Sequence, residues 1–103
     1  MKKIEAIIPR SKLNEVQNAL GQLGIDDLTV CEVKGFGREN RHKESYRSKE
    51  YVINYLPKIR IDLVVDDPFL EPAVKVFRQF AKSGSPSGDR ILISEVQAAA
   101  YAQ

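Results

Sequence analysis

The 103-residue chain is long enough for one compact domain, and we expect a single domain over residues 1–103. Its composition, 43% hydrophobic and 29% charged, is that of an ordinary globular protein, and no apolar run approaches the roughly 20 residues that a membrane-spanning helix needs. A net charge of +2 does not by itself indicate a nucleic-acid partner.

The first third of the chain predicts a strand, a helix and a second strand. An apolar run over residues 3–8 ends at Pro9 and is typical of a strand. Apolar residues then recur at helical spacing over 12–23, with Ser11 as the expected N-cap and Gly24 as the expected C-terminal stop. Residues 28–34 are β-branched and apolar, and predict the second strand.

A long charged segment follows the second strand. Residues 35–57 show no long apolar period, so we predict a loop over about 37–55, and a loop of that length in a small domain is usually functional. Residues 34–60 contain eight Lys or Arg residues and three Glu, which gives a local charge of +5 in a chain of net charge +2. The rest of the chain is therefore mildly acidic, and the loop is the basic part of the molecule.

The second half repeats the pattern of the first. Strict apolar alternation over 58–65 predicts a strand, and a helix begins at Asp67-Pro68. Small residues over 83–89 predict a second loop, and residues 91–96 predict a fourth strand. The order β-α-β, long loop, β-α-β predicts an α+β, ferredoxin-like split βαβ fold with a four-stranded antiparallel sheet and helices on one face.

The face of the sheet away from the helices must be wet or must pack against another subunit. Four apolar residues, Ile4, Val30, Val64 and Ile93, predict that this second face is largely apolar. We therefore expect a homo-oligomer, which would also enlarge the thin core of so short a chain.

Two loops carry residues suited to anions. The elbow 34–38 sets two glycines and one aromatic between Lys34 and Arg38, which suits close approach of a phosphate or carboxylate, although a plain turn explains Gly-x-Gly about equally well. The stretch 83–90 adds Ser, Gly and Asp residues whose N–H groups can form an anion nest, followed by Arg90. Two such loops indicate anion binding better than one.

The remaining candidates do not indicate catalysis. The tyrosines of the charged loop, Tyr46, Tyr51 and Tyr55, either anchor it by packing or contact a partner. His42 has no second histidine beside it, and Cys31, the single cysteine, excludes an internal disulfide and a thiolate metal site. With no nucleophile–base pair, no carboxylate pair, no metal-ligand spacing and no signal-peptide pattern, we predict a cytoplasmic protein that is not an enzyme and holds no metal.

Several blocks of sequence stand at preserved spacing over about the first eighty residues. The most specific is Thr29-Val30 followed by Glu32-Val33-Lys34-Gly35-Phe36-Gly37-Arg38. The others are Ile4-Glu5-Ala6-Ile7-Ile8, Lys12-Leu13, Glu15-Val16, Ala19-Leu20, Leu23-Gly24-Ile25, Tyr46-Arg47, Glu50-Tyr51-Val52 and Tyr55-Leu56-Pro57-Lys58-Ile59. Together these blocks resemble the PII family of nitrogen and carbon signalling proteins.

The resemblance implies a ferredoxin-like homotrimer with AMP, ADP or ATP as effector ligands in three intersubunit clefts. It implies that residues 37–55 dock on an unidentified target protein (an enzyme, transporter or regulator), so that contact with a membrane would come only through a transporter. Tyr51 matches a position that some members uridylylate. The nucleotide-binding residues implied by position are Ile7, Thr29, Gly35, Phe36, Gly37, Arg38, Asp62, Val64, Gly84, Ser87, Gly88, Asp89 and Arg90.

One departure from the family pattern lies beside the elbow. The family usually has Gln where this chain has Glu39, and that Gln helps to hold Mg²⁺ and 2-oxoglutarate. A carboxylate can still ligate a metal, but it would repel the 2-oxoglutarate dianion by roughly 1–4 kcal/mol, so we do not assign Mg²⁺ and we expect a smaller anion such as bicarbonate. The small-anion residues implied by the family are Gly37, Arg38, Glu39 and Lys58.

Two further departures concern the phosphates. Pro86 removes a backbone donor from the second loop, and Tyr101-Ala102-Gln103 stands where the family has Arg-x-Arg, so we expect ADP or AMP to be preferred over ATP. The pattern is similar to the PII-like branch associated with inorganic carbon and carboxysomes. The leading prediction is therefore a signalling protein in which an adenine nucleotide and a small anion such as bicarbonate switch the long loop, which regulates a target protein of inorganic carbon metabolism. The alternatives are a conventional nitrogen sensor responding to ATP, ADP and 2-oxoglutarate, and a weak ATPase; we expect no nucleic-acid binding.

Overall fold

The computed structural model describes residues 1–35, 56–81 and 89–100. Each predicted strand and helix is present, with only its ends shifted. Most of the two predicted loops, with His42 and the three loop tyrosines, lies outside the described residues. The elements are β1 (Lys2–Pro9), α1 (Leu13–Gln22), β2 (Thr29–Gly35), β3 (Leu56–Val65), α2 (Leu70–Phe80) and β4 (Arg90–Glu95).

The four strands form one antiparallel sheet in the order β2-β3-β1-β4. β1 and β3 occupy the centre, and the strand that follows α1 and the strand that follows α2 occupy the two edges. This is the arrangement of the split βαβ unit, and the predicted ferredoxin-like α+β fold is confirmed. Neither helix is long and apolar enough to cross a membrane in the part of the chain that the structure describes.

The core lies between the sheet and the two helices. Alternate residues of the central strands point toward the helices, because successive side chains of a strand point to opposite faces. Both helices contribute one buried stripe, as their apolar spacing predicts. The buried apolar residues are Ile4, Ala6, Ile8, Val16, Leu20, Ile59, Ile61, Leu63, Val65, Ala73, Val74 and Phe77.

The ends of α1 differ in how well the sequence predicted them. Gly24 has φ +84°, and its N–H donates to Gly21 O at 2.9 Å while Ile25 N–H donates to Leu20 O at 3.0 Å. This is a Schellman cap, so the predicted stop is confirmed. The predicted Ser11 cap is wrong, because Ser11 lies within a 3₁₀ turn, Arg10–Lys12, that makes no side-chain cap before α1.

Three of the four apolar residues predicted for the second face lie on the helix-covered face instead, so that prediction is wrong for them. Ile4 lies opposite Leu63 and Ile93, and residues opposite each other on neighbouring strands share a face, so Ile4 and Ile93 lie on the helix-covered side. Val30 lies opposite the core residue Ile61 and shares that side. The apolar run of β1 includes residues of both parities, and a shift of one residue exchanges the two faces of a strand.

The face away from the helices, called the open face below, carries both polar and apolar side chains. Of the four residues predicted for it, only Val64 lies there. Its members in the described strands are Lys3, Glu5, Ile7, Pro9, Thr29, Cys31, Val33, Lys58, Arg60, Asp62, Val64, Arg90, Leu92 and Ser94.

Candidate ligand site on the open face of the sheet

Three of the predicted nucleotide-binding residues line one open groove. Thr29 lies directly opposite Asp62, and Val64 is the next residue of β3 on the same face. These side chains, with Lys3, Asp27 and Leu28, border a groove of about 380 Å³. The groove therefore presents a hydroxyl, a carboxylate and an apolar wall side by side, which are the groups that orient a flat heterocycle with amino substituents.

Two further predicted residues lie one row along the same face. Ile7 of β1 lies opposite Arg60 of β3 and opposite Arg90 of β4. The half-buried Ile7 side chain thus stands between two arginine positions, and Arg90 is exposed. The structure thus places five of the predicted nucleotide-binding residues, Ile7, Thr29, Asp62, Val64 and Arg90, on the open face.

Arg60 links the groove to β2, and the sequence analysis did not single it out. Arg60 Nε lies 3.3 Å from Asp62 Oδ2, and its Nη2 group donates toward Cys31 Sγ at 3.8 Å. Within the described residues, the buried Arg60 Nε and Asp62 Oδ1 have no hydrogen-bond partner. Such groups are costly to leave unsatisfied, so Asp62 Oδ1 is an acceptor that suits the exocyclic amino group of a bound base.

Lys58 and Asp89 form a buried ion pair. Lys58 Nζ donates to Asp89 Oδ1, and the two side chains are 5% and 1% exposed. The sequence placed Lys58 among the small-anion residues and Asp89 among the nucleotide residues, but it did not predict that they contact each other. The pair joins the beginning of β3 to the residue before β4, across the end of β1.

The open face has a direction. Val64, Asp62, Arg60 and Lys58 follow one another at every second residue of β3, a span of about 20 Å. Thr29, Asp62 and Val64 of the groove lie at one end, together with Lys3. Arg60, Lys58 and Arg90 lie toward the other end, which is called the cationic end below. Because β2 ends, and β3 and β4 begin, at that cationic end, both predicted loops connect there.

The other predicted site residues lie at the end of β2 or outside the described residues. Gly35 is the last residue of β2, consistent with an elbow that follows the strand. The remaining residues, Phe36, Gly37, Arg38, Glu39, Tyr51, Gly84, Ser87 and Gly88, lie outside the described residues. No group of three His, Cys, Asp or Glu side chains that could hold a metal ion occurs in residues 1–35, 56–81 and 89–100.

A second groove adjoins the first, and sequence reasoning missed it. It has a volume of about 290 Å³ and shares Asp27 and Val64 with the first groove. Asp26, Asp66 and the exposed ring of Phe69 also line it. The available signal was the clustering of acidic residues at 26–27 and 66–67, next to strand ends that antiparallel pairing brings together.

The family model described as "Nitrogen regulatory protein P-II" matches residues 1–102. This chain belongs to the P-II family. The predicted family is therefore confirmed, and P-II proteins are regulatory signalling proteins.

Similar proteins share both the family name and most of the length. "Nitrogen regulatory protein P-II" of Rhodospirillum rubrum is 44% identical over 99 residues, which cover 96% of this chain and 88% of the relative. The P-II protein of Azospirillum brasilense is 45% identical over 97 residues, covering 94% and 87%. "Nitrogen regulatory protein P-II 1" of Escherichia coli K12 is 43% identical over 96 residues, covering 93% and 86%.

Proposed function

We propose that this chain is a nitrogen-regulatory P-II signalling protein that binds adenine nucleotides along the open face of its sheet. The observation that carries the proposal is the shared placement of Thr29, Asp62 and Val64 on one groove. In the proposed pose the base lies in that groove, with its amino group donating to Asp62 Oδ1. The phosphates extend toward Arg90 at the cationic end.

The chemistry of this face suits such a ligand. Asp62 Oδ1 needs a donor, which the amino group of adenine supplies, and Thr29 can donate to or accept from a ring nitrogen or amino group. Arginine presents a planar fork of donors that matches phosphate oxygens. Because Arg90 directly follows the predicted anion-nest loop, the charge and the backbone donors would act on one phosphate group.

The proposed assembly is a homotrimer with the nucleotide clefts between subunits. Val30 and Ile93 lie on the helix-covered side, at opposite edges of the sheet, and remain 37% and 47% exposed. A contact that joins different edges of identical chains is heterologous, and such contacts form a ring when the rotation between subunits closes, as three subunits at 120° would. A ring would also cover strand edges that invite uncontrolled pairing.

Nitrogen signalling replaces inorganic-carbon signalling as the leading proposal, because the similar proteins cited above carry the nitrogen-regulatory name. In this proposal the second ligand is 2-oxoglutarate, held through Lys58 and the predicted residues Gly37 and Arg38, with the predicted residue Glu39 beside it. Bicarbonate, with a role in inorganic-carbon or carboxysome regulation, remains the second candidate on one observation of the sequence: Glu39 adds a negative charge where a dianion would bind.

Ligand binding would act on a target protein through residues 37–55. Occupancy at the ends of β2 and β3 would favour one arrangement of this segment over another, and a target that binds one arrangement would report the nucleotide and anion present. The proposal places this signalling in the cytoplasm and leaves the target an enzyme, a transporter or another regulator.

Calorimetry tests the ligands directly. AMP, ADP and ATP are titrated with and without Mg²⁺, and then 2-oxoglutarate or bicarbonate is titrated into the nucleotide-saturated protein. The proposal expects adenine nucleotide binding, and 2-oxoglutarate binding that depends on nucleotide. Absence of adenine nucleotide binding overturns it, whereas a bicarbonate signal without a 2-oxoglutarate signal moves the proposal to inorganic carbon. The preference for ADP or AMP is wrong if ATP binds clearly more tightly than both.

Three further measurements test the trimer, the response of residues 37–55 to ligand, and the ATPase alternative. Light scattering gives the oligomeric state. Proteolysis between Arg41 and Lys49 must change with ligand if the segment 37–55 responds to it. ADP release from ATP that is lost in Lys58→Ala and Arg90→Ala would indicate the alternative weak ATPase.

A further inference from the structure

The ion pair of Lys58 and Asp89 lies where a small anion is proposed to bind. Both side chains are almost fully withdrawn from solvent, and Lys58 Nζ donates to Asp89 Oδ1. Lys58 is the third residue of β3, and Asp89 directly precedes β4. The Lys58 ammonium group, which is proposed to bind the anion, is therefore already paired with the Asp89 carboxylate of the protein itself.

Because both groups are buried, the ion pair is a stable contact. A buried charge is tolerated when it is paired and hydrogen-bonded, and removal of one partner leaves the other uncompensated. An ammonium group is a compact point charge with three donors, without the fixed fork of a guanidinium. It can therefore exchange one carboxylate for another with little change in its own geometry.

We propose that Asp89 is an internal competitor for the anion site, so that a small carboxylate or bicarbonate ligand binds Lys58 by displacing the Asp89 carboxylate. This inference rests on the proposed function, which places an anion at Lys58. It adds a residue that sets the affinity for that anion. Asp89 is a positioning residue in this scheme and makes no contact with the bound anion.

Displacement follows from the charges. An anion that approaches Lys58 while Asp89 stays in place brings two carboxylates to one ammonium group, and like charges at short range disfavour each other. The displaced Asp89 carboxylate therefore loses its ion pair with Lys58 and moves away from it. Since Asp89 is bonded to Arg90, the first residue of β4, its departure also alters the position from which Arg90 faces the nucleotide phosphates.

This exchange would connect the two ligands. An anion at Lys58 and a nucleotide at Arg90 would both act on the segment that contains Asp89. Coupling of this kind is reciprocal: if the nucleotide favours the displaced form of Asp89, it raises the affinity for the anion by the same factor by which the anion raises the affinity for the nucleotide. The protein would then respond to the combination of the two ligands.

The structural alternative is a fixed clamp. If the pair only fastens β3 to β4, loss of the Asp89 charge loosens the site, and the anion binds less tightly or with unchanged affinity. If Asp89 competes, the same loss frees Lys58, and the anion binds more tightly. The two readings thus predict opposite signs for one variant.

Calorimetry on Asp89→Asn separates them. 2-Oxoglutarate and bicarbonate are titrated separately into nucleotide-saturated wild type, Asp89→Asn, Asp89→Glu and Glu95→Gln. We expect Asp89→Asn to bind the anion about tenfold more tightly, as loss of a charge-assisted competitor implies. Asp89→Glu keeps a carboxylate and should stay near the wild type. Glu95→Gln makes the same charge change at the other end of β4, where the carboxylate is 67% exposed, and controls for net charge.

The outcomes distinguish the two proposals. If the wild type binds the anion and Asp89→Asn binds it no more tightly, the competitor is refuted while the proposed function stands. Anion binding by Asp89→Asn alone supports the competitor. If neither protein binds any nucleotide or anion, the proposed function fails and the competitor with it.

A measurement on the wild type covers the case in which Asp89→Asn does not fold. Displacement of Asp89 should speed amide hydrogen exchange at Arg90 and Ile91 when the anion is added to the nucleotide-bound protein. Exchange that is unchanged or slower at both residues refutes displacement.

Discussion

Thr29 lies directly opposite Asp62 on neighbouring antiparallel strands, and both side chains stand on the face of the sheet that the helices leave open. The Thr29 side chain is exposed, whereas the Asp62 carboxylate is 20% exposed and holds one oxygen without a hydrogen-bond partner in the described part of the chain. Asp62 Oδ1 can therefore accept a hydrogen bond from a ligand that carries a donor.

Loss of this pair should weaken binding of the base. Thr29→Val keeps the branched shape but removes the hydroxyl, and Asp62→Asn replaces one carboxylate oxygen with a donor. We expect each change to lower the affinity for ADP about five- to tenfold, the usual effect of one ligand hydrogen bond. Glu15→Gln, an equal charge change on exposed α1, should leave the affinity unchanged. Equal ADP affinity in all four proteins, measured by calorimetry, would contradict the proposed pose.

The two glycines near the end of α1 should respond to alanine with opposite signs. Gly24 has φ +84°, so Gly24→Ala should lower the free energy of unfolding by about 1–2 kcal/mol. Gly21 is inside the helix, and an added Cβ would meet Asp26 Oδ1 at an ordinary 3.9 Å. Gly21→Ala should therefore raise the free energy of unfolding by about 0.5–1 kcal/mol. Urea unfolding measures both, and a shared sign would contradict the assigned cap.

Phe77 should be among the most costly core residues to truncate. It is fully buried, and Phe77→Ala should lower the free energy of unfolding by about 3–5 kcal/mol through the lost apolar contacts and the cavity left behind. Phe69→Ala makes the same change at a ring that is 43% exposed and should cost no more than about 1 kcal/mol. Both are compared at one protein concentration, because subunit association contributes to apparent stability. Similar losses for the two variants would mean that Phe77 does not lie in the core.

The Lys58–Asp89 pair should show strong coupling in a double-mutant cycle of urea unfolding. Lys58→Met or Asp89→Leu alone should cost about 3–5 kcal/mol, because each removes one half of a buried ion pair. The double variant should cost much less than the sum, because it leaves no charge behind. The exposed pair Lys2–Glu95, 2.5 Å between Nζ and Oε1, supplies the comparison: Glu95→Gln should cost far less than either change at the buried pair, because water screens an exposed ion pair. Additive effects at Lys58 and Asp89 would show that they do not interact.

The sequence predicted the elements because their signals are local. Alternation over 58–65, helical spacing over 12–23 ahead of Gly24 and the proline at 68 each act through neighbours in the chain. The side of each strand was harder to predict. Ile4 and Ile93 were expected on the open face, and their cross-strand neighbours place them on the helix side. Apolar side chains occur at both parities of β1, so only pairing with β3 decides which of them enter the core.

The sequence by itself therefore determined the order of strands and helices, the basic segment between residues 34 and 60, the cap at Gly24 and membership of the P-II family. Only the tertiary structure decided which side chains meet. It set Thr29 against Asp62, inserted Arg60 between the groove and the cationic end, and paired Lys58 with Asp89, 31 positions later in the chain. The physical reason is that local propensity acts over a few bonds, whereas a contact between distant residues depends on strand order and register, which the common core imposes on all four strands at once.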